Sequence, residues 1–361
     1  MKQHIVGNSL KKSIRRFGMR KRYDNLDGLR VISCLGIIAM HIKANADYQI
    51  YGWIFEVFVP SLTLLVYLFL LISGFGMFCG YYERFKEGKI DLNNFYKKRY
   101  KKIIPFFAFL IFIDILVERS FSHLIEGFTE ATLVFGLLPN NQPDVIGVSW
   151  TIGVIFLFYM LFPFFVWLCW DKKRAFISFI ISVILNIFCE IYYFTDKFVI
   201  DSFASRHSFL YCSPFFLGGG LIYMYRKEIK DFVSQRKLFC LLGCLGITGF
   251  HYLFIQPWFK MDNLGSLLLL LYLPWLCYAI SVDSIVLSNK VMKYFSKISL
   301  ELYLAHMVLF RVVEKMNFLY FFGKGWLSFI LVFVAVLIGL ILLIEFLKKM
   351  TSFSRRLLIK E

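Results

Sequence analysis

Long apolar runs, broken by short polar or basic segments, set the pattern of this chain. A helix needs about 20 mostly apolar residues to cross the hydrocarbon core of a bilayer. By that measure the pattern predicts spans near residues 27–44, 58–79, 103–118, 149–169, 175–194, 207–225, 238–256, 264–282, 297–312 and 326–347. The expected fold is all-α: a polytopic membrane helix bundle with about ten transmembrane helices. The first span is the weakest, because its clean stretch Val31–Met40 is short and flanked by Arg30 and His41. Hydropathy alone leaves it equally readable as interfacial or re-entrant. The ninth is interrupted by Glu301 and His306.

Composition changes the picture by exclusion. A chain of 361 residues would ordinarily suggest two or three soluble domains. Here 59% of residues are hydrophobic, 18% are charged, and 70 are aromatic, which a soluble surface cannot carry. A soluble enzyme, a nucleic-acid factor and a disulfide-stapled module are thereby excluded. The eight cysteines sit in or beside apolar runs and form no CxxC, so small apolar packing is the reading and no metal is expected.

The net charge of +17 matters through its distribution. The segments 1–30, 81–102, 170–175, 225–237, 283–297 and 347–361 hold 33 of the 41 basic residues. The intervening segments hold the other eight: Lys43, Arg119, Lys197, Arg206, Lys260, Arg311, Lys315 and Lys324. Strict alternation of this kind places both termini in the cytoplasm and speaks for lipid, not nucleic acid, as the partner. No small-residue cleavage site follows the basic N-terminus, so the first apolar run reads as an uncleaved span. One membrane domain is expected over 26–347, between a basic cytoplasmic segment 1–25 and a basic tail 348–361. The longest external loop, 119–148, contains Glu126, Glu130, the apolar run Leu133–Leu138 and Pro139-Asn140-Asn141-Gln142-Pro143. Such a loop either dips back toward the bilayer or lies passively on the surface.

Ionisable residues inside spans are costly and mark candidate function. Arg30 and His41 are eleven positions apart, three helical turns plus about 20°, so they share one face with roughly 16 Å of rise between them. A guanidinium at the cytoplasmic mouth suits a phosphate. A deep neutral imidazole suits a general base. The alternative is a topogenic flank and a hydrogen-bonded packing residue. Asp27 is placed to hold Arg30. Arg99 and Lys102 end a basic loop, and Pro105 falls within the first turn expected for the third span. Asp114 and Glu190 read as structural partners of other spans. Glu301 and His306, five positions and about 140° apart, do not form a local pair. His306 is expected to line the acceptor side of a pocket, and Glu301 to pair with another helix.

Several of these residues stand in motifs that resemble acyltransferase family 3, integral-membrane O-acyltransferases of bacterial surface glycans. Leu26-Asp27-Gly28-Leu29-Arg30, with ten residues before His41, matches the family's Arg-x10-His opening. Phe69-Leu70-Leu71-Ile72-Ser73-Gly74-Phe75, Arg99-x-x-Lys102-x-x-Pro105, Ser149-Trp150, Ser213-Pro214-Phe215-Phe216-Leu217-Gly218 and Ile298–His306 (with Glu301, Tyr303 and His306) resemble later motifs in the same order. The likeness runs from about 24 to 347. It departs at Lys102, where an Arg is common, and at Thr151-Ile152, where acidic residues often follow the Trp.

The resemblance implies acyl transfer, usually of acetyl from acetyl-CoA as cosubstrate, to a hydroxyl of an extracytoplasmic or lipid-linked cell-surface polysaccharide. The setting it implies is the bacterial cytoplasmic membrane, with no bound cofactor. On this reading Arg30, Arg99 and Lys102 bind acyl-CoA. His41, with Arg30, carries catalysis as base or as transient acyl carrier. Asp27, Ser73, Gly74, Trp150, Tyr303, His306 and Glu301 are pocket candidates, although helix packing is the better account of a single small residue such as Gly74. A homo-oligomer is compatible with the pattern. The competing function is export or flipping of a lipid-linked glycan, which would favour broken helices and an internal repeat; neither is visible in the sequence.

Overall fold

The computed structural model describes residues 23–138, 145–199, 203–256 and 265–358, with side chains to 350. Most of the 1–25 segment, Pro139–Pro143 of the long loop, Lys260 and the end of the basic tail lie outside the described residues. Within them the chain is helical, with no strand.

Nine of the ten predicted spans fall on one helix each, and the fourth, 149–169, falls on two. These helices are α1 (Asn25–Ala44), α2 (Ile54–Lys86), α3 (Leu92–Glu118), α5 (Trp150–Met160), α6 (Phe162–Leu168), α7 (Lys172–Tyr193), α8 (Phe209–Met224), α10 (Lys237–Ile255), α11 (Leu267–Ser281), α13 (Ser299–Lys315) and α14 (Trp326–Leu358). Between them lie the shorter α4 (Phe121–Ala131), α9 (Arg226–Gln235) and α12 (Lys290–Lys297). Five helices are long and apolar enough to cross a membrane: α1, α2, α7, α10 and the Trp326–Met350 part of α14. A sixth is added if α5 and α6 count as one span bent by 58°. The bend has a cause in the sequence, since Pro163 stands in the first turn of α6 and has no N–H to continue α5. Helices α8 and α11 are apolar but short, at 16 and 15 residues.

Pro105 corrects an expectation. It lies inside α3, not in a first turn, because the helix begins at Leu92, where Asp91 caps it by accepting from the Asn93 N–H (2.9 Å). The basic residues 97–102 are thus helical, and the cost of an internal proline falls mid-helix.

The core forms where α2 crosses α8. A Cβ at Gly74 would fall on the Phe216 carbonyl oxygen, and one at Gly219 on that of Leu71, so only glycines allow this approach. Aromatic rings fill the space beside the crossing. Phe158 stacks on Phe216 with centroids 4.5 Å apart, and Phe162 meets Phe78 edge-on at 5.3 Å. The high aromatic content therefore serves packing, with Phe75, Phe78, Phe156, Phe158, Phe162, Phe215 and Phe216 fully buried.

The basic segments meet at one end of the bundle. Lys293 pairs with Asp24 (2.6 Å), Lys86 donates to the Trp170 carbonyl (3.1 Å), Lys172 pairs with Glu228, and Arg226 reaches Glu83 (3.9 Å). Lys324 of the opposite set pairs with Asp47 beyond the other end of α1.

Both acids read as structural partners of other spans are paired, Glu190 with a residue of the span helix α8 but Asp114 with one on the loop helix α4. Asp114 meets His123 Nδ1 at 3.0 Å, tying α4 to α3. Glu190 accepts from the Tyr211 hydroxyl (2.7 Å) and the Gly265 N–H (2.8 Å). The long loop returns to the bundle. Leu133 and Phe135 are buried, the Phe135 ring lies against Gly153, and Glu130 is only 1% exposed. Helix α4 turns Phe121, Leu124, Ile125 and Phe128 outward.

Candidate functional site

A cavity of about 350 Å3 opens between α1, α2, α3, α5 and α13. Of the predicted site residues, Arg30, Ser73, Arg99, Lys102 and Tyr303 line it. Three cations from two helices, α1 and α3, therefore share one cavity. Nothing in their sequence separation announces this, except that each sits near the cytoplasmic end expected for its span.

The cations are held differently. Arg30 leaves α1 one turn after Asp27, 3.6 Å from its carboxylate, and Asp27 also accepts from the Ser296 hydroxyl (2.7 Å). Asp27 thus steadies Arg30 as the spacing implied, without itself lining the cavity. Arg99 donates to the Tyr81 hydroxyl and packs against the faces of Tyr81, Phe95 and Tyr159, 4.9 to 5.7 Å from each ring. Its Nε is buried and bonded to no other residue. Such a guanidinium is pre-aimed and poorly hydrated, the state in which an anion binds it best. Lys102 is exposed at the mouth.

Hydroxyls furnish the inner wall. Ser73 and Tyr159 are hydrogen-bonded at 2.9 Å, and Thr151 bonds Tyr303 at 2.6 Å. Tyr81, Thr151 and Tyr159 escaped the sequence reading, because a hydroxyl on an apolar helix carries no periodic signal. Thr151 holds the position after Trp150 where the resembled family often has an acid. Glu301, one of the pocket candidates, does not line the cavity. Its Oε2 is buried with no hydrogen-bond partner, and Lys102 and Lys348 are the cations facing it.

Other candidates fall elsewhere. Gly74 is occupied by the helix crossing, while Gly76 and Gly80, two and six residues on, line the cavity. Trp150 stacks on His207 at 4.7 Å, with the Arg206 guanidinium 5.6 Å from its ring. His41 and His306 do not line the cavity; they lie beyond it and together, with ring centroids 5.0 Å apart. On α13 the lining residues are Ser299, Leu300 and Tyr303, so His306 stands one turn past the last of them. Arg206 is the cation facing His41.

Chemically, this is a cavity lined by three cations at one end of α1 and an imidazole pair near the other. Among the described residues no cluster of three or more His, Cys, Asp or Glu is spaced to hold a metal.

No curated protein and no solved structure matches the chain. An acyltransferase-domain family model matches residues 23–345, nearly the whole sequence and every element that builds the cavity and the imidazole pair. The chain belongs to the acyltransferase family 3 that its motifs resemble.

Proposed function

We propose that this membrane acyltransferase moves an acetyl group from cytoplasmic acetyl-CoA to a hydroxyl of an extracytoplasmic or lipid-linked cell-surface polysaccharide. It would work in the bacterial cytoplasmic membrane with about ten helices spanning the bilayer and both termini inside. The observation that carries this reading is the shared placement of Arg30, Arg99 and Lys102 around one cavity, with His41 about three turns above Arg30 on the same helix.

The CoA phosphates dock on the three cations, and Arg99 contributes most per contact because its cage excludes water. The pantetheine arm runs along the Ser73–Tyr159 and Thr151–Tyr303 wall toward His41. There the acceptor oxygen attacks the thioester carbonyl while its proton passes to His41. The carbon–sulfur bond breaks, and the CoA thiolate takes that proton and leaves as the thiol. The dry surroundings protect the thioester from hydrolysis.

The test is direct. Protein purified into nanodiscs should consume acetyl-CoA in the presence of the glycan, and polysaccharide from cells carrying the gene should lose mass on mild alkaline de-esterification. An unmodified glycan that still crosses the membrane in a gene-dependent way would instead make the protein an exporter.

A further inference from the structure

His306 is 1% exposed, and its two ring nitrogens are treated differently by the fold. Nδ1 lies 2.6 Å from the carbonyl oxygen of Tyr303. A carbonyl can only accept, so Nδ1 must carry the proton. A neutral imidazole has one N–H, which leaves Nε2 with a bare lone pair. That Nε2 is fully buried and has no hydrogen-bond partner. A buried acceptor without a donor is costly, so such a group in a native core calls for an explanation.

The explanation lies on the neighbouring helix. Cys34 Sγ meets the Ser299 carbonyl at 3.6 Å, and the rings of His41 and His306 meet seven residues further along both helices. α1 and α13 thus run parallel and in register, and the ring that faces His306 from the neighbouring helix is that of His41. The 5.0 Å centroid spacing and 48° tilt put the two rings in contact without an N–H···N bond between them, and a turn of the His41 ring would close that bond.

We infer that His306 is a positioning residue whose proton-free Nε2 accepts from an N–H of His41 and so fixes the tautomer of the proposed base. His41 then turns its other nitrogen, unprotonated, to the acceptor hydroxyl. When that nitrogen takes the hydroxyl proton, the imidazolium keeps one N–H on His306, and the proton returns to the CoA thiolate. His306 stays neutral throughout. A carboxylate would do the same orienting work, but an ionised acid is costly to bury between helices. Tyr303 then serves twice, its hydroxyl on the cavity wall and its carbonyl as the lock on His306.

This inference rests on His41 acting as the base, so its test includes a readout independent of turnover. Magic-angle-spinning NMR of histidine-labelled protein in nanodiscs, with signals assigned by substitution, should show His306 as the Nδ1–H tautomer. Its Nε2 resonance should shift in His41→Ala. In kinetics, His306→Gln, which keeps an acceptor at the ε position, should hold kcat within about tenfold. His306→Asn, which keeps only the donor at the δ position, should fall by about 10²–10³-fold with the KM for acetyl-CoA unchanged. An Nε2–H tautomer at His306, or equal loss in the Gln and Asn proteins, overturns the inference. A folded His41→Ala protein that still transfers acyl groups overturns the catalytic reading instead, and leaves the tautomer measurement to be judged by itself.

Discussion

His41 and His306 face each other across α1 and α13 with ring centroids 5.0 Å apart, one turn beyond the last cavity residue of α13. Arg30 lies on the cavity eleven residues before His41, a rise of about 16 Å. No single ligand atom can touch both. Donor binding and chemistry should therefore separate cleanly by substitution. His41→Ala should leave acetyl-CoA affinity nearly intact while lowering turnover by about 10²–10⁴-fold, the usual worth of a positioned base. Titration calorimetry alongside ester formation checks both halves.

At the other end of α1, Arg30→Ala should weaken acetyl-CoA binding by about 10–150-fold, the equivalent of about 1.5–3 kcal/mol for a charge-assisted contact. Arg30→Lys should recover only part of it, because an ammonium lacks the fork. Arg99→Lys should be the more damaging conservative change, since the cage of Tyr81, Phe95 and Tyr159 is fitted to a planar group. Unaltered affinity in all three variants would reduce these cations to orientation signals.

How much was legible beforehand differs by residue. The helices announced themselves, because a run of apolar residues has few alternatives in a bilayer. Arg30 and His41 share a face by simple helical arithmetic, and the Arg30–Asp27 contact follows from a three-residue spacing. The cage around Arg99 was not legible, because it joins Tyr81 of α2 to Tyr159 of α5 through tertiary packing alone. Nor was the role of Thr151, whose value lies in reaching Tyr303 some 150 positions away. Pro105 misled because a basic stretch looks like a loop, whereas Lys and Arg are good helix formers and Asp91 supplies the cap upstream.

The two glycines of the second-span region should behave in opposite ways. At Gly74 a Cβ would overlap the Phe216 backbone, so Gly74→Ala must push α2 from α8 and should lower protein abundance several-fold. At Gly76 a Cβ would rest 3.7 Å from Arg30 Nη2, an ordinary contact. Gly76→Ala should accumulate normally and change only the KM for acetyl-CoA. Quantitative blotting with initial rates over a range of acetyl-CoA concentrations distinguishes the cases, and equal abundance of both variants would refute the tight crossing.

Orientation can be read by impermeant thiol labelling in a cysteine-free background. A cysteine placed at an exposed site in 81–102 or 283–297 should resist labelling from outside, whereas one in 119–131 should react. Lys86–Trp170, Lys172–Glu228 and Lys293–Asp24 tie the basic segments to one end, so these probes should move together. External reaction within 81–102 would reverse the donor side assigned to Arg99 and Lys102.

Glu130 gives the long loop a pH dependence whose sign can be worked out. Its Oε1 accepts from the Ile146 N–H at 3.3 Å, the Ser149 side chain lies beside it, and its Oε2 is buried with no partner. Burial, with added repulsion from Glu126 and Asp114, pushes the carboxyl up to about 8. The folded state therefore holds a proton that the unfolded chain releases near its ordinary carboxylate range. Stability from this group is complete below that range and is lost as pH rises through about 8. Wild-type protein in nanodiscs should melt lower at about pH 9 than at about pH 6, and Glu130→Gln should narrow that gap by roughly 2–4 °C. Limited proteolysis of the loop should follow the same course, with cleavage appearing at high pH in wild type and not in Glu130→Gln. If the variant keeps the full alkaline loss, the destabilising charge lies elsewhere and Glu130 is ionised in the fold.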